Sequence, residues 1–218
     1  LEALYSTPAG KNTIVIVLAD HGDGMGSHRM VTKQVSFYEE MTNVPFIIAG
    51  PGIHPRQKPV EDLLTQPTID LLPTLCELAG IPVPSSKPGI SLAPFLKGEK
   101  QKRQHPYAAS EWHSEYEVTV SPGRMIRSPR YKYTHYLEGN GEELYDMLKD
   151  KGERRNLAHD PKYSKILAEH RALLDDYIRR TQDDYRSLKV EADKRWRSHA
   201  PGYPNHEGPC ARDIINRK

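Results

Sequence analysis

The nine residues "NTIVIVLAD", 12–20, constrain the fold more than any other stretch of this 218-residue chain. A short continuous apolar run, rich in β-branched residues and bounded by polar ones, fits a fully buried strand of a helix-covered sheet, here 13–18. "VPFIIAGPG" repeats the pattern over 44–49, and its Pro-Gly pair ends it. Between them "QVSFYEEMTN" predicts a short helix. In "TQPTIDLLPTLCELAGIPVP" Pro67 sits where a first helical turn tolerates proline, and Leu71, Leu72, Leu75 and Leu78 recur at helical spacing. Gly80 is placed to end that helix, and Pro73 inside it predicts a kink. Strand, helix, strand, helix is an α/β signature.

From about Lys97 the character changes. "KGEKQKRQHP" reads as a charged surface linker, and "YAASEW", "GRMIRSPRYKYTHYL" and "EELYDM" follow as short alternating stretches with turns such as "EGNG" between them. They predict a small antiparallel sheet. In "HDPKYSKILAEHRALLDDYIRRTQDD" Asp160 is a candidate N-cap and Pro161 opens the first turn. Tyr163, Ile166, Leu167, Leu173, Leu174, Tyr177 and Ile178 share one helical face that would cover the sheet. The expected organisation is an α/β core segment over 1–104, the sheet-plus-helix subdomain over 105–183, and an irregular tail over 184–218. That tail carries Trp196, Arg197, His199, Tyr203 and His206, which would face a glycan or pack against another part of the protein.

Composition narrows the function classes. The chain is 28% charged and 37% hydrophobic with a mean hydropathy of −0.71. Nothing approaches the roughly 18 consecutive apolar residues of a membrane span. Its 31 basic and 29 acidic residues interleave, so there is no long basic block to engage nucleic acid. Two cysteines, Cys76 and Cys210, form neither a disulfide framework nor a CxxC knuckle and fix no compartment. "LEALYSTPAGKN" opens without an initiator methionine or leader-like regions and reads as the end of a helix running into a loop, with a targeting peptide expected either upstream or not at all.

Chemistry belongs at the end of the first strand, because open α/β sheets bind ligands outside the carboxyl ends of their strands. There "ADHGDGMGSHRMVTK" supplies a hard oxygen at Asp20 and an imidazole at His21. Gly22, Gly24 and Gly26 let the backbone turn sharply enough to aim both inward. Two donors are part of a divalent-metal site, and the rest would come from elsewhere. The alternative is a glycine-rich surface turn in which Asp20 caps a helix.

"ADHGDGMGSHRMVTKQVSFYEEMTNVPFIIAGPG" resembles the second conserved stretch of the sulfatase family, within the alkaline-phosphatase-like superfamily. "IDLLPTLCELAGIPVP", "GISLAPFLKG" and "RMIRSPRYKYTHYL…EELYDMLKDKGERRNLA" are similar to later family segments in the same order, so the resemblance covers roughly residues 10 to 180. It implies the C-terminal part of an alkaline-phosphatase-like sheet flanked by helices, plus the small antiparallel subdomain. It also implies that Asp20 and His21 help hold a divalent cation, usually calcium, that Lys33 contacts the sulfate group, and that His28 lies beside the leaving oxygen. His113, in "SEWHSEY", falls where sulfatases reach the substrate pocket. His105, His135, His159 and His170 read as surface or packing residues. Secreted, periplasmic or lysosomal location is a family habit.

One departure is large. Sulfatases use a formylglycine made from the first residue of a Cys/Ser-x-Pro-x-Arg motif, and neither "CELAG", "CARDI" nor "SKPGI" fits. Two further metal-binding acids also have no candidate in "LEALYSTPAGKN". The leading expectation is therefore the C-terminal portion of a sulfuric ester hydrolase, inactive alone, whose N-terminal half supplies the nucleophile. A phosphate or phosphonate ester hydrolase of the same superfamily and a non-catalytic binding module are the alternatives.

Overall fold

A computed structural model describes residues 1–30, 36–61, 63–86, 88–101, 104–113, 122–137 and 141–188. The chain packs as two units, Leu1–Asp20 with Val44–Ala108 and His21–Asn43 with Ala109–Lys218. The expected 1–104 segment is thus interrupted, because 21–43 packs with the later sheet. The change of unit after it falls at Ala108, a few residues beyond the charged linker.

In the first unit a short helix α1 (Glu2–Tyr5) leads into a 3-10 turn, Pro8–Asn12, whose N-cap Thr7 accepts from the Gly10 N–H. β1 (Val15–Leu18) then pairs antiparallel with β2 (Phe46–Ala49), in a register that sets Val17 opposite Ile47. The expectation of a fully buried β1 is overturned. Among the described residues β1 and β2 form a sheet of two strands, and Val17 and Ile47 remain 49% and 57% exposed. A β-branched run reads as buried in the sequence whether or not the layer that covers it lies in the same chain.

Helix α3 (Pro67–Leu78) starts on Pro67 and runs through Pro73 as one helix, after the short α2 (Glu39–Thr42) of the other unit. Proline at 73 has no N–H for the Ile69 carbonyl. Gly89 lies against that carbonyl, where an added Cβ would come within 2.1 Å of the oxygen. Gly80 takes φ +69 just past the helix end, as a terminating glycine should. The buried Asp70 carboxylate accepts from the Gln66 and Ile90 N–H groups, each at 2.8 Å, and lies 2.7 Å from His105 Nε2. This ties the segment ending in His105, through the short α4 (Ala93–Leu96), back to α3. His105 is thereby a packing residue.

The second unit is built on a sheet ordered β3 (Ala108–Trp112), β4 (Gly123–Arg127), β5 (Tyr131–Tyr136), β6 (Gly141–Asp146). β4, β5 and β6 are antiparallel neighbours, with Ile126 opposite Tyr133 and Tyr133 opposite Leu144. Ile126, Tyr133 and Leu144 share one face, on the side of α5 (Ser164–Thr181), whose buried residues are Leu167, His170 and Leu174. Each fully buried Leu or Ile there contributes about 1.5–3 kcal/mol. Asp160 caps the 3-10 turn Pro161–Tyr163 that feeds α5. The alternate positions of β4–β6 are buried too: Met125 and Tyr136 pack on Phe37, and Tyr145 packs on Tyr38. The sheet therefore lies between a helix and the 36–43 segment.

Past α5, Tyr185 is fully buried under the Arg124 guanidinium, 4.5 Å from its ring centroid. Arg124 also holds Asp183 through two hydrogen bonds, at 2.6 and 2.9 Å. The start of the tail is thus packed. Trp196, Arg197, His199, Tyr203 and His206 lie outside the described residues. Among the described residues no helix is long and apolar enough to cross a membrane.

Candidate active-site loop

The loop after β1 is a packed structure. Asp20, exposed, stands two residues beyond the strand end. His21 is half-buried, with Nδ1 2.8 Å from the Gly22 carbonyl. A carbonyl only accepts, so Nδ1 carries a proton in this hydrogen bond, and Nε2 is the ring nitrogen with which this tautomer would meet a metal. The Gly22 N–H donates to the Met41 carbonyl at 3.0 Å. A Cβ at Gly22 would fall 1.9 Å from the Glu40 carbonyl oxygen, and one at Gly24 would fall 2.4 Å from Met30 Cβ. These two glycines are required by close approach.

The chain then turns tightly. Gly26 at φ +96 donates its N–H to the Met30 carbonyl at 2.7 Å. Met25, His28 and Arg29 all take positive φ, a conformation that costs a side-chain-bearing residue about 1–2 kcal/mol. Met30, buried with Tyr38, Met41, Tyr145 and Met147, anchors the far side of the turn. The N-caps of the described helices are residues other than Asp20, so the helix-capping alternative for that residue does not hold among them.

His28 is held by its neighbours. Its ring stacks on Tyr38 at 3.7 Å with an interplanar angle of 1°, and its Nε2 lies 3.8 Å from Glu40 Oε2. Burial pulls the imidazole pKa down, Glu40 pushes it up and Lys132 pulls it down; the net is below the usual 6.5, so the ring is neutral near pH 7. Tyr38 and Glu40 belong to the "YEE" of the family-like segment, where neither carries a local mark of a role. The "YKY" and "KGE" runs are equally silent, and they supply Lys132 and Glu153, both nearly fully buried behind this segment. Glu153 has its pKa raised by burial, with Lys132 opposing.

Of the remaining sequence-derived site residues, Lys33 lies outside the described residues, and His113 is exposed one residue past the end of β3. Asp20 and His21 are consecutive in the chain and are described in the first and second units respectively. Among the described residues no group of three or more His, Cys, Asp or Glu side chains is arranged to hold a metal ion. By donor chemistry, a carboxylate oxygen at Asp20 and an imidazole nitrogen at His21 are each of a type that a divalent cation accepts.

Residues 26–180 match the family described as N-sulphoglucosamine sulphohydrolase, C-terminal. The whole chain is 77% identical over 218 residues to a Delta 4,5-hexuronate-2-O-sulfatase of Bacteroides thetaiotaomicron, of which it spans 45%. The solved structure of a 2-O GAG sulfatase aligns over 98% of this chain and 46% of its own, with a TM-score of 0.87 and 78% identity. A second solved protein, in complex with its substrate D-glucosamine-2-N,6-O-disulfate, aligns over 87% of this chain and 39% of its own, with a TM-score of 0.74 and 25% identity. The chain spans less than half the length of each of these relatives.

Proposed function

Because the chain belongs to the N-sulphoglucosamine sulphohydrolase C-terminal family, and so to the sulfatases, we propose that it is the C-terminal portion of an enzyme hydrolysing the 2-O-sulfate ester of an unsaturated hexuronate. The observation that carries this reading is the 77% identity to the hexuronate-2-O-sulfatase along the entire chain, site loop included. The nucleophile is a formylglycine in the part of the protein that lies N-terminal to these residues.

Sulfatases generally work with a bound metal, and calcium is the expectation from resemblance. When bound, a divalent cation supplies a fixed positive charge beside the sulfate oxygens. Asp20 and the Nε2 of His21 would hold it, together with acids from outside this chain. The Lys33 ammonium binds a sulfate oxygen and stabilises the charge that grows there as the ester bond breaks. His28, kept rigid on Tyr38 and neutral near pH 7, donates a ring N–H to the leaving oxygen, and the Glu40 carboxylate partly offsets the burial that disfavours the cationic ring. His113 contributes from the end of β3 to holding the sugar.

The test is release of inorganic sulfate by the complete protein, read by ion chromatography. The substrates are a disaccharide sulfated at O2 of a Δ4,5-hexuronate, its 6-O-sulfated isomer, and a phosphate monoester. The expected result is a preference for the 2-O ester of at least about a hundredfold in kcat/KM. Preferential phosphate release would support the phosphoester alternative instead. No turnover and no oxyanion binding would support a binding module.

A further inference from the structure

We infer that Lys132 and Glu153 are positioning residues for this active site: a buried ion pair behind the sheet sets the backbone on which His28 and the chain beside His21 rest. The inference deepens the functional reading above and rests on it for the identity of the reaction.

Lys132 sits on β5 with its side chain almost wholly buried, a position a lysine occupies only when paired. Its ammonium donates to the Phe37 carbonyl at 2.8 Å and lies 2.7 Å from Glu39 Oε1 and 2.9 Å from Glu153 Oε1. The other oxygen of Glu153 accepts the Glu39 N–H at 2.6 Å. That N–H is one of the donors left unpaired at the start of α2. One cation and one carboxylate, reaching across 95 and 114 residues of sequence, thus fix a carbonyl, an N–H and a side chain within three consecutive residues.

The middle residue of those three is Tyr38, the ring on which His28 stacks. Two and three residues further on come Glu40, whose carboxylate faces His28, and Met41, whose carbonyl receives the Gly22 N–H. The Glu40 carbonyl is also the atom that closes the space over Gly22. The 37–41 backbone is therefore a template in contact with the loop at both His28 and Gly22, and Lys132 with Glu153 is what holds the template at its start. Replacing a buried ion pair by apolar groups is often neutral for stability, so this arrangement is better explained by the geometry it imposes.

The test uses the complete protein with histidines labelled at 13Cε1, His28 being assigned by the signal lost in His28→Gln. In the wild type the His28 ring protons lie over the Tyr38 face and resonate upfield of a free imidazole. Lys132→Met is expected to move them towards the free value and to lower kcat at least tenfold, with KM changing less than threefold; Lys132→Arg restores part of both. Leu174→Ala, a core change on the opposite face of the sheet, is expected to lower Tm without moving the shift. Should Lys132→Met fail to fold, Glu153→Gln, which keeps a single acceptor, is expected to give the same changes in smaller measure. A lowered Tm with the His28 shift and kcat unchanged in the Lys132 and Glu153 variants would overturn the inference. The shift is read without turnover, so it judges the pair separately from the substrate assay.

Discussion

Replacing Lys33 by alanine is expected to lower kcat roughly a hundredfold or more in the complete protein, the scale on which one preorganised electrostatic donor acts. The charge on the sulfate oxygens grows as the ester bond breaks, so an ammonium against them is worth more in the transition state than in the bound ester. The loss therefore falls on kcat more than on KM. Metal content and Tm are expected to stay near their wild-type values, because a lysine that meets only substrate leaves no buried partner behind when removed. Lys132 makes the contrast: it is buried between two carboxylates and a carbonyl, and its removal takes their shared cation away from all three. A structural salt bridge at Lys33 would show the opposite pattern, with Tm falling and kcat per folded molecule preserved. Measuring kcat, bound metal and Tm on one preparation separates the two.

The second large effect is on the metal. Asp20→Ala removes an anionic donor and His21→Ala a neutral one, so both variants are expected to lose bound cation, the aspartate variant more because its charge balances the ion. Loss of even a residue that only hydrogen-bonds a metal ligand costs roughly 10–100-fold in metal affinity, and loss of a direct ligand should cost at least as much. Elemental analysis of the purified protein and calorimetric titration of the calcium-free form measure it. Unchanged metal content in both variants would reduce the loop to a turn. His21→Gln is a finer probe, since it removes the nitrogen that the Gly22 hydrogen bond presents as an acceptor.

Much of this architecture is legible in the residues because its signals are local. The strands from 123 to 146 alternate, and the cap at Asp160 with the apolar face through Leu167 and Leu174 marks α5. The Asp-His-Gly loop stands out through its composition. What stays hidden depends on distant partners. In "YKYTHY" the alternation assigns Lys132 and Thr134 to a polar, solvent-facing side, yet that side is buried against 36–43 and both residues are nearly inaccessible. Nothing within ten residues of Lys132 announces Glu39 or Glu153.

The same holds for the site. His28 has no local mark of a φ near +50 or of a stacked tyrosine ten residues on; only the fold brings Tyr38 beneath it. Gly22 and Gly24 look like flexibility in the sequence and are in fact close-approach positions against Glu40 and Met30. Conversely, the strand at 15–18 was readable as a strand but not in its exposure, since an apolar run does not say where its cover comes from. The apolar side chains left open at Val17, Leu18 and Ile47 in the first unit are a surface that a soluble protein ordinarily covers.

The most direct measurement is sulfate release from the 2-O-sulfated Δ4,5-hexuronate disaccharide, run side by side on the complete protein and on these 218 residues alone. The chain carries Lys33, His28, Asp20 and His21, the residues proposed for the sulfate and the cation, and lacks any Cys/Ser-x-Pro-x-Arg segment from which a formylglycine could be made. The expected result is turnover by the complete protein and none by the chain alone. Sulfate release by the purified chain, proven free of the remainder, would contradict the assignment of half an active site to it, and so would a complete protein that leaves the 2-O ester intact.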